Sequence, residues 1–187
     1  MRAAGHDVHV ETLAPETPFP FPWPIVEFFD AFPECVQLDA PPLRALEVAA
    51  DTTFDLVILT YQVWYLSPAL PMTAFLKSEE GRKLIDGKPV ITLVACRNMW
   101  LSAQETMKQL IAGAGGRLID HLAFTDQGHP LATFITTPRW VWTGKKNSFL
   151  GLPPAGVSPE EIRQASRFGL ALADGLNNDR EKSGQPM

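Results

Sequence analysis

The run Phe54-Asp-Leu-Val-Ile-Leu-Thr60 is apolar without the alternation of a half-wetted strand. A strand covered on both faces needs such a run, and strands of that kind belong to parallel sheets. Pro89-Val-Ile-Thr-Leu-Val-Ala-Cys96 repeats the pattern after Gly87-Lys88, and residues 117–125 read as a third strand. Helical patterns fall between and after them. One covers residues 72–84. A second opens on Ser102-Ala-Gln-Glu105, a capping box, and runs to about Gly113. A last one opens on Ser158-Pro-Glu-Glu161, a second capping box with proline at the first helical position, and runs to about residue 176. Strand–helix alternation of this kind predicts an α/β fold around a parallel sheet. Residues 7–13 alternate apolar and polar and read as an edge strand. Residues 126–157 read as mostly loop, with an extra strand at 131–136.

Residues 14–50 break the pattern. They hold Pro15, Pro18, Pro20, Pro22, Pro24, Pro33, Pro41 and Pro42, interleaved with Phe19, Phe21, Trp23, Phe28, Phe29 and Phe32. Closely spaced proline continues neither a helix nor a central strand. The segment is too aromatic for a solvated linker. It reads as an ordered excursion packed by its own rings, with short helices near 25–32 and 42–50. One domain over residues 1–176 and a disordered tail over 177–187 complete the organisation.

Composition excludes several classes. The net charge of −5 offers no basic footprint for nucleic acid. No apolar run is long enough for a membrane span, and the start of the chain lacks the apolar core of a signal peptide. Cys35 and Cys96 form no metal or redox spacing and read as cytoplasmic thiols.

The residues that follow the buried strands carry the candidate chemistry. Tyr61, Gln62, Trp64 and Tyr65 follow the first, and Arg97, Asn98 and Trp100 follow the second. The carboxyl ends of parallel strands are where open α/β sheets bind flat ligands. The arrangement resembles the flavodoxin-like family, a three-layer parallel sheet in which aromatic loops hold the isoalloxazine of FMN. That resemblance implies FMN, with NAD(P)H as a partner reductant. It places Tyr61, Gln62, Trp64, Tyr65, Arg97, Asn98 and Trp100 on the cofactor. It also implies that the first strand and its phosphate-binding loop lie upstream of Met1, because Gly5 reads as the stop of a first helix; a short family member is the rival reading.

Further strings narrow the likeness: Phe19-Pro-Phe-Pro-Trp-Pro24, Tyr61-Gln-Val-Trp64, Cys96-Arg-Asn-Met-Trp100, Thr136-Thr-Pro-Arg-Trp140, Gly144-Lys-Lys146 and Pro153-Pro-Ala-Gly-Val157. Together they resemble the dialkylresorcinol condensing enzymes over about residues 5–176. The resemblance implies a polyketide-like aromatic substrate with alkyl tails and a ketosynthase partner; a homodimer is expected because a missing first strand leaves open sheet edges that template association. The family name implies condensation, for which Cys96 would be the nucleophile. The fold implies dehydrogenation of a cyclic precursor by a flavin, with Arg97 stabilising negative charge. A flavin-free scaffold is the third alternative. Trp23, Phe28, Arg139 and Trp140 are the candidate substrate residues. Gly144-Lys145-Lys146 lacks the phosphate-loop pattern and reads as a solvated turn.

Overall fold

The computed structural model describes residues 1–49 and 51–183. In chain order the elements are α1 (Ile25–Asp30), α2 (Phe32–Gln37), β1 (Val57–Trp64), β2 (Ser67–Pro68), α3 (Leu70–Lys77), α4 (Glu79–Ile85), β3 (Pro89–Cys96), α5 (Leu101–Gly113), β4 (Arg117–Thr125), α6 (Pro130–Thr143), α7 (Pro159–Asn177) and α8 (Arg180–Ser183). The sheet order is β2-β1-β3-β4. β1, β3 and β4 run parallel, and β2 returns antiparallel against the end of β1. The fold is therefore α/β around an open, mostly parallel sheet, as the apolar runs predict.

Register explains the core. Leu59, Tyr61, Val90 and Val94 share one face of the sheet and pack on Met72, Phe75, Leu84, Met107 and Ile111 from α3, α4 and α5. The other face carries Ile58, Thr60 and Gln62 beside Ile91, Leu93 and Ala95, with Phe124 next to Ala95 on β4. Thr60, Gln62 and Ala95 on that face are exposed.

The aromatic segment after residue 60 is strand, not loop. Tyr61, Val63 and Trp64 are good strand formers, and the chain turns back only at Tyr65 and Leu66, with φ of 50° and 64°. Positive φ at both central residues is what a tight hairpin requires. It is costly for residues other than glycine. The Tyr65 ring lies 5.0 Å from Phe28 and 5.2 Å from Phe32, and its hydroxyl donates to the Phe28 carbonyl, which offsets that cost.

Other expectations change for identifiable reasons. Residues 7–13 are extended but join no sheet. Their nearest ladder contact is the bridge of Pro15 with Leu43. The helix expected at 42–50 is absent over 42–49. The Pro42 carbonyl accepts from Glu16 N, and Arg44 N donates to the Ala14 carbonyl, so the bridge takes the groups a helix needs. Ala50 lies outside the described residues. The strand expected at 131–136 is part of α6, whose first turn is capped by His129 Nδ1 accepting from Leu131 N. Thr133 and Thr136 donate their hydroxyls to the Pro130 and Ala132 carbonyls, which lets β-branched residues sit in a helix. The helical pattern at 72–84 is two helices, split where Ser78 leaves helical geometry and caps α4 through Gly81 N. Ser102 is not a cap, since α5 begins at Leu101. Both halves of the Ser158–Glu161 capping box are present. Residues 177–183, expected as disordered tail, end α7 and form α8, and Arg117 donates to the Glu181 carbonyl at 2.7 Å. Residues 184–187 lie outside the described part.

Candidate functional site

The rings of the 14–50 excursion gather over the end of β1. Trp23 is 7% exposed. Its centroid lies 5.0 Å from Trp64, 5.3 Å from Phe28 and 5.5 Å from Phe19, and its amide donates to the Val141 carbonyl at 2.8 Å. Phe19 meets Trp64 edge-on at 5.0 Å. Trp64, expected to stack on a ligand, therefore has Phe19 and Trp23 against it, and Tyr65 has Phe28 and Phe32. Trp64 Nε1 donates to Gln62 Oε1 at 3.3 Å, which leaves the Gln62 amide facing the open side of the sheet.

Tyr61 lies on the covered face. Its hydroxyl donates to Gln104 Oε1 at 2.8 Å, and Gln104 Nε2 donates to Thr92 Oγ1 at 2.9 Å. Burial raises the Tyr61 hydroxyl well above the ordinary phenol range. Thr92 and Gln104 were not singled out from the sequence. The available signal was a hydroxyl inside an apolar strand and an amide on the buried stripe of α5 with Ala103, Met107 and Ile111.

Cys96 ends β3 half-buried. Burial pushes its thiol up to about 11, and the lowering effect of Arg97 is smaller. The thiol stays protonated at neutral pH, and nucleophilic attack needs the thiolate. Arg97 NH1 donates to Thr133 Oγ1 at 3.3 Å and the guanidinium lies 3.8 Å over Phe134, so it ties the β3 exit to α6. Asn98 is exposed. Trp100 packs against the core, with its ring 5.5 Å from His121.

Arg139 and Trp140 organise the end of α6. Arg139 donates to the Lys145 and Asn147 carbonyls at 2.9 Å each and lies over Phe149 at 4.6 Å. Trp140 meets Phe21 at 6.1 Å and carries Lys146 at 5.2 Å. Asp126, also missed in the sequence, is buried and organises the loops beyond β4. It accepts from Gly128 N at 2.9 Å, Gly156 N at 2.7 Å and Thr137 Oγ1 at 3.2 Å.

The space left for a ligand lies beside these residues. Apart from Gln62, whose carbonyl accepts from Ala69 N, and the two-residue pairing with β2, the outer edge of β1 has no backbone partner among the described residues. A trough of about 760 Å³ opens along that edge and onto the uncovered face. Gln62, Trp64, Ala95 and Phe124 form its end at the carboxyl edge of the sheet. Leu56, Ile58 and Leu93 form its length, and His9 to Leu13 form the far wall. The volume suits a small organic molecule. His9 and Glu11 are the acidic and basic side chains in its described lining, with the Tyr61 phenol beside them. Burial raises Glu11, but hydrogen bonds from the Val48 and Glu47 amides and the neighbouring His9 outweigh it and hold the carboxyl below its usual range.

FMN fits this lining in part. The Gln62–Trp64 end offers an amide and an indole for a flat ring. No lysine, arginine or glycine is among the described lining residues to hold a phosphate, and Glu11 is an anion in the far wall. No protein-family model, curated protein or solved structure matches the chain.

Proposed function

We propose that the chain binds an uncharged ring compound bearing an alkyl tail, of the polyketide-derived aromatic type, along the trough beside β1. The ring lies at the Gln62–Trp64 end and the tail runs past Ile58 and Leu93. The observation that carries this reading is a long apolar trough that ends at a polar amide and an indole. The flavodoxin-like architecture belongs to the same proposal. The parallel run β1-β3-β4, with helices between strands and aromatics at the exits, supports it. Dehydrogenation of the ring by FMN is the reaction that the resemblance implies. The described lining does not fit the phosphate of FMN, so no step is derived through the flavin. Condensation through Cys96 is disfavoured by its protonated thiol.

Titration with resorcinol and with 5-pentylresorcinol, read by tryptophan fluorescence, tests the reading. Each buried methylene is worth about 0.8 kcal/mol, so the five-carbon tail should tighten binding by roughly two to three orders of magnitude. Ala95→Phe, at the exposed ring end beside Gln62, should weaken both compounds by about tenfold or more. Equal affinity for the two compounds would overturn the proposal. FMN titrated into the same protein tests the redox arm separately: an unchanged flavin spectrum removes that arm and leaves the ligand reading standing.

A further inference from the structure

Two exposed apolar stripes lie away from the trough. On α1 and α2, Ile25, Phe29, Phe32 and Val36 recur at helical spacing and are all exposed, while Ala31 and Cys35 are buried. On α6, Leu131 is 72% exposed and Phe134 61%, with Ile135 exposed beside them. Isolated exposed apolar residues are ordinary, but stripes repeated on two neighbouring elements mark an interaction surface.

The charges of the two regions are opposite. Residues 3–43 contain no lysine or arginine, and α1 and α2 present Glu27, Asp30 and Glu34 to solvent. Residues 127–159 contain no aspartate or glutamate, and α6 with the turn after it carries Arg139, Lys145 and Lys146. Among the described residues Glu27, Asp30, Glu34, Lys145 and Lys146 form no ion pair, although ion pairs occur elsewhere on the surface. The regions adjoin. Trp142 of α6 lies 6.0 Å from Phe28 and 6.5 Å from Phe29, and Trp23 N bonds Val141 O at their border.

We infer that a second copy of this chain docks here, the acidic apolar face of α1–α2 on one copy meeting the basic apolar face of α6 and its following turn on the other. Two complementary patches that share a border meet each other twice across a two-fold axis through that border, which closes the assembly as a dimer. The apolar stripes supply the buried area, and the unpaired charges set which patch meets which. A negatively charged bilayer is the poorer occupant. It attracts Lys145 and Lys146 but repels the adjoining Glu27, Asp30 and Glu34.

Sedimentation of the full chain over a concentration series up to about 100 µM tests this, since a micromolar dimer is assembled there. The expected result is a monomer–dimer equilibrium that added salt weakens. Ile135→Glu and Val36→Glu should each abolish the dimer. Glu27→Lys/Glu34→Lys and Lys145→Glu/Lys146→Glu should each weaken it by about tenfold or more at low salt, and combining the four should restore it to within about threefold, the signature of pairing between patches. These positions are exposed, and unchanged circular dichroism confirms that the variants fold. A wild-type chain monomeric throughout, or no recovery on combining the reversals, overturns the inference. So does co-pelleting of the monomer with phosphatidylserine vesicles that the Lys145→Glu/Lys146→Glu variant loses, which would assign the surface to lipid instead.

Discussion

Trp23→Ala should lower the stability of the protein by about 3–5 kcal/mol, the range for truncating a buried large aromatic side chain. Trp23 is the centre of the ring cluster, with Phe19, Phe28 and Trp64 all within 5.5 Å of its centroid. Its removal opens a void between the excursion and the end of β1. Phe28 and Trp64 each lose an edge-on neighbour, worth about 0.5–1.5 kcal/mol beyond the buried area. For a chain of this length the melting temperature should fall by roughly 2–4 °C per kcal/mol, so by about 6–20 °C. Trp23→Phe should recover part of the loss. Urea denaturation of the three proteins measures this. A loss under about 1 kcal/mol would mean that Trp23 is a mobile cover and not part of the scaffold.

Alkaline pH should destabilise the fold, with the buried thiols leading and the buried Tyr61 and Tyr65 phenols adding to the effect as the pH nears 10. Burial pushes the Cys35 thiol from 9.0 up to about 12, with a smaller contribution from Glu34, and the Cys96 thiol from 9.0 up to about 11. Both groups bind their proton more tightly folded than unfolded. Their contribution is fully present below about pH 9 and is lost as the pH rises toward the folded values. Between pH 9 and 10 the slope should approach about 1.4 kcal/mol per pH unit for each thiol. Denaturation under reducing conditions at pH 8, 9 and 10 gives the slope directly. Cys96→Ser should flatten it by about a third to a half, the rest coming from Cys35 and the two tyrosines. A slope unchanged in Cys96→Ser, or stability level across this window, would show that the thiols are not held neutral by the fold.

The sequence by itself determined the α/β class. The runs Leu56 to Leu59 and Val90 to Val94 lack the alternation of a half-wetted strand, which points to a parallel sheet, although one face of β1 stays open along the trough. It also determined the Ser158–Glu161 cap, whose two hydrogen bonds are local, and the order of helices between strands. The same local reasoning misplaced whatever depends on partners far along the chain. The period-two pattern at 7–13 describes extended backbone, but a strand exists only if a neighbour supplies its ladder, and here Glu11 caps Val48 instead. The β-branched run at 131–136 has strand propensity, and the His129 cap with the back-bonded threonines overrides it. At the site, the sequence put Tyr61 and Trp64 in the loop after a buried strand, whereas both belong to the strand itself. It carried no information on which face of the pleat each would take. A register alternating every residue sent Tyr61 to Gln104 in the core and Trp64 toward the trough, where Phe19 and Trp23 meet it. Whether an aromatic side chain meets a ligand or another ring of its own chain is a question of packing between segments some forty residues apart. Only the tertiary structure decides it, because contact energy depends on distance in space and not on distance along the chain.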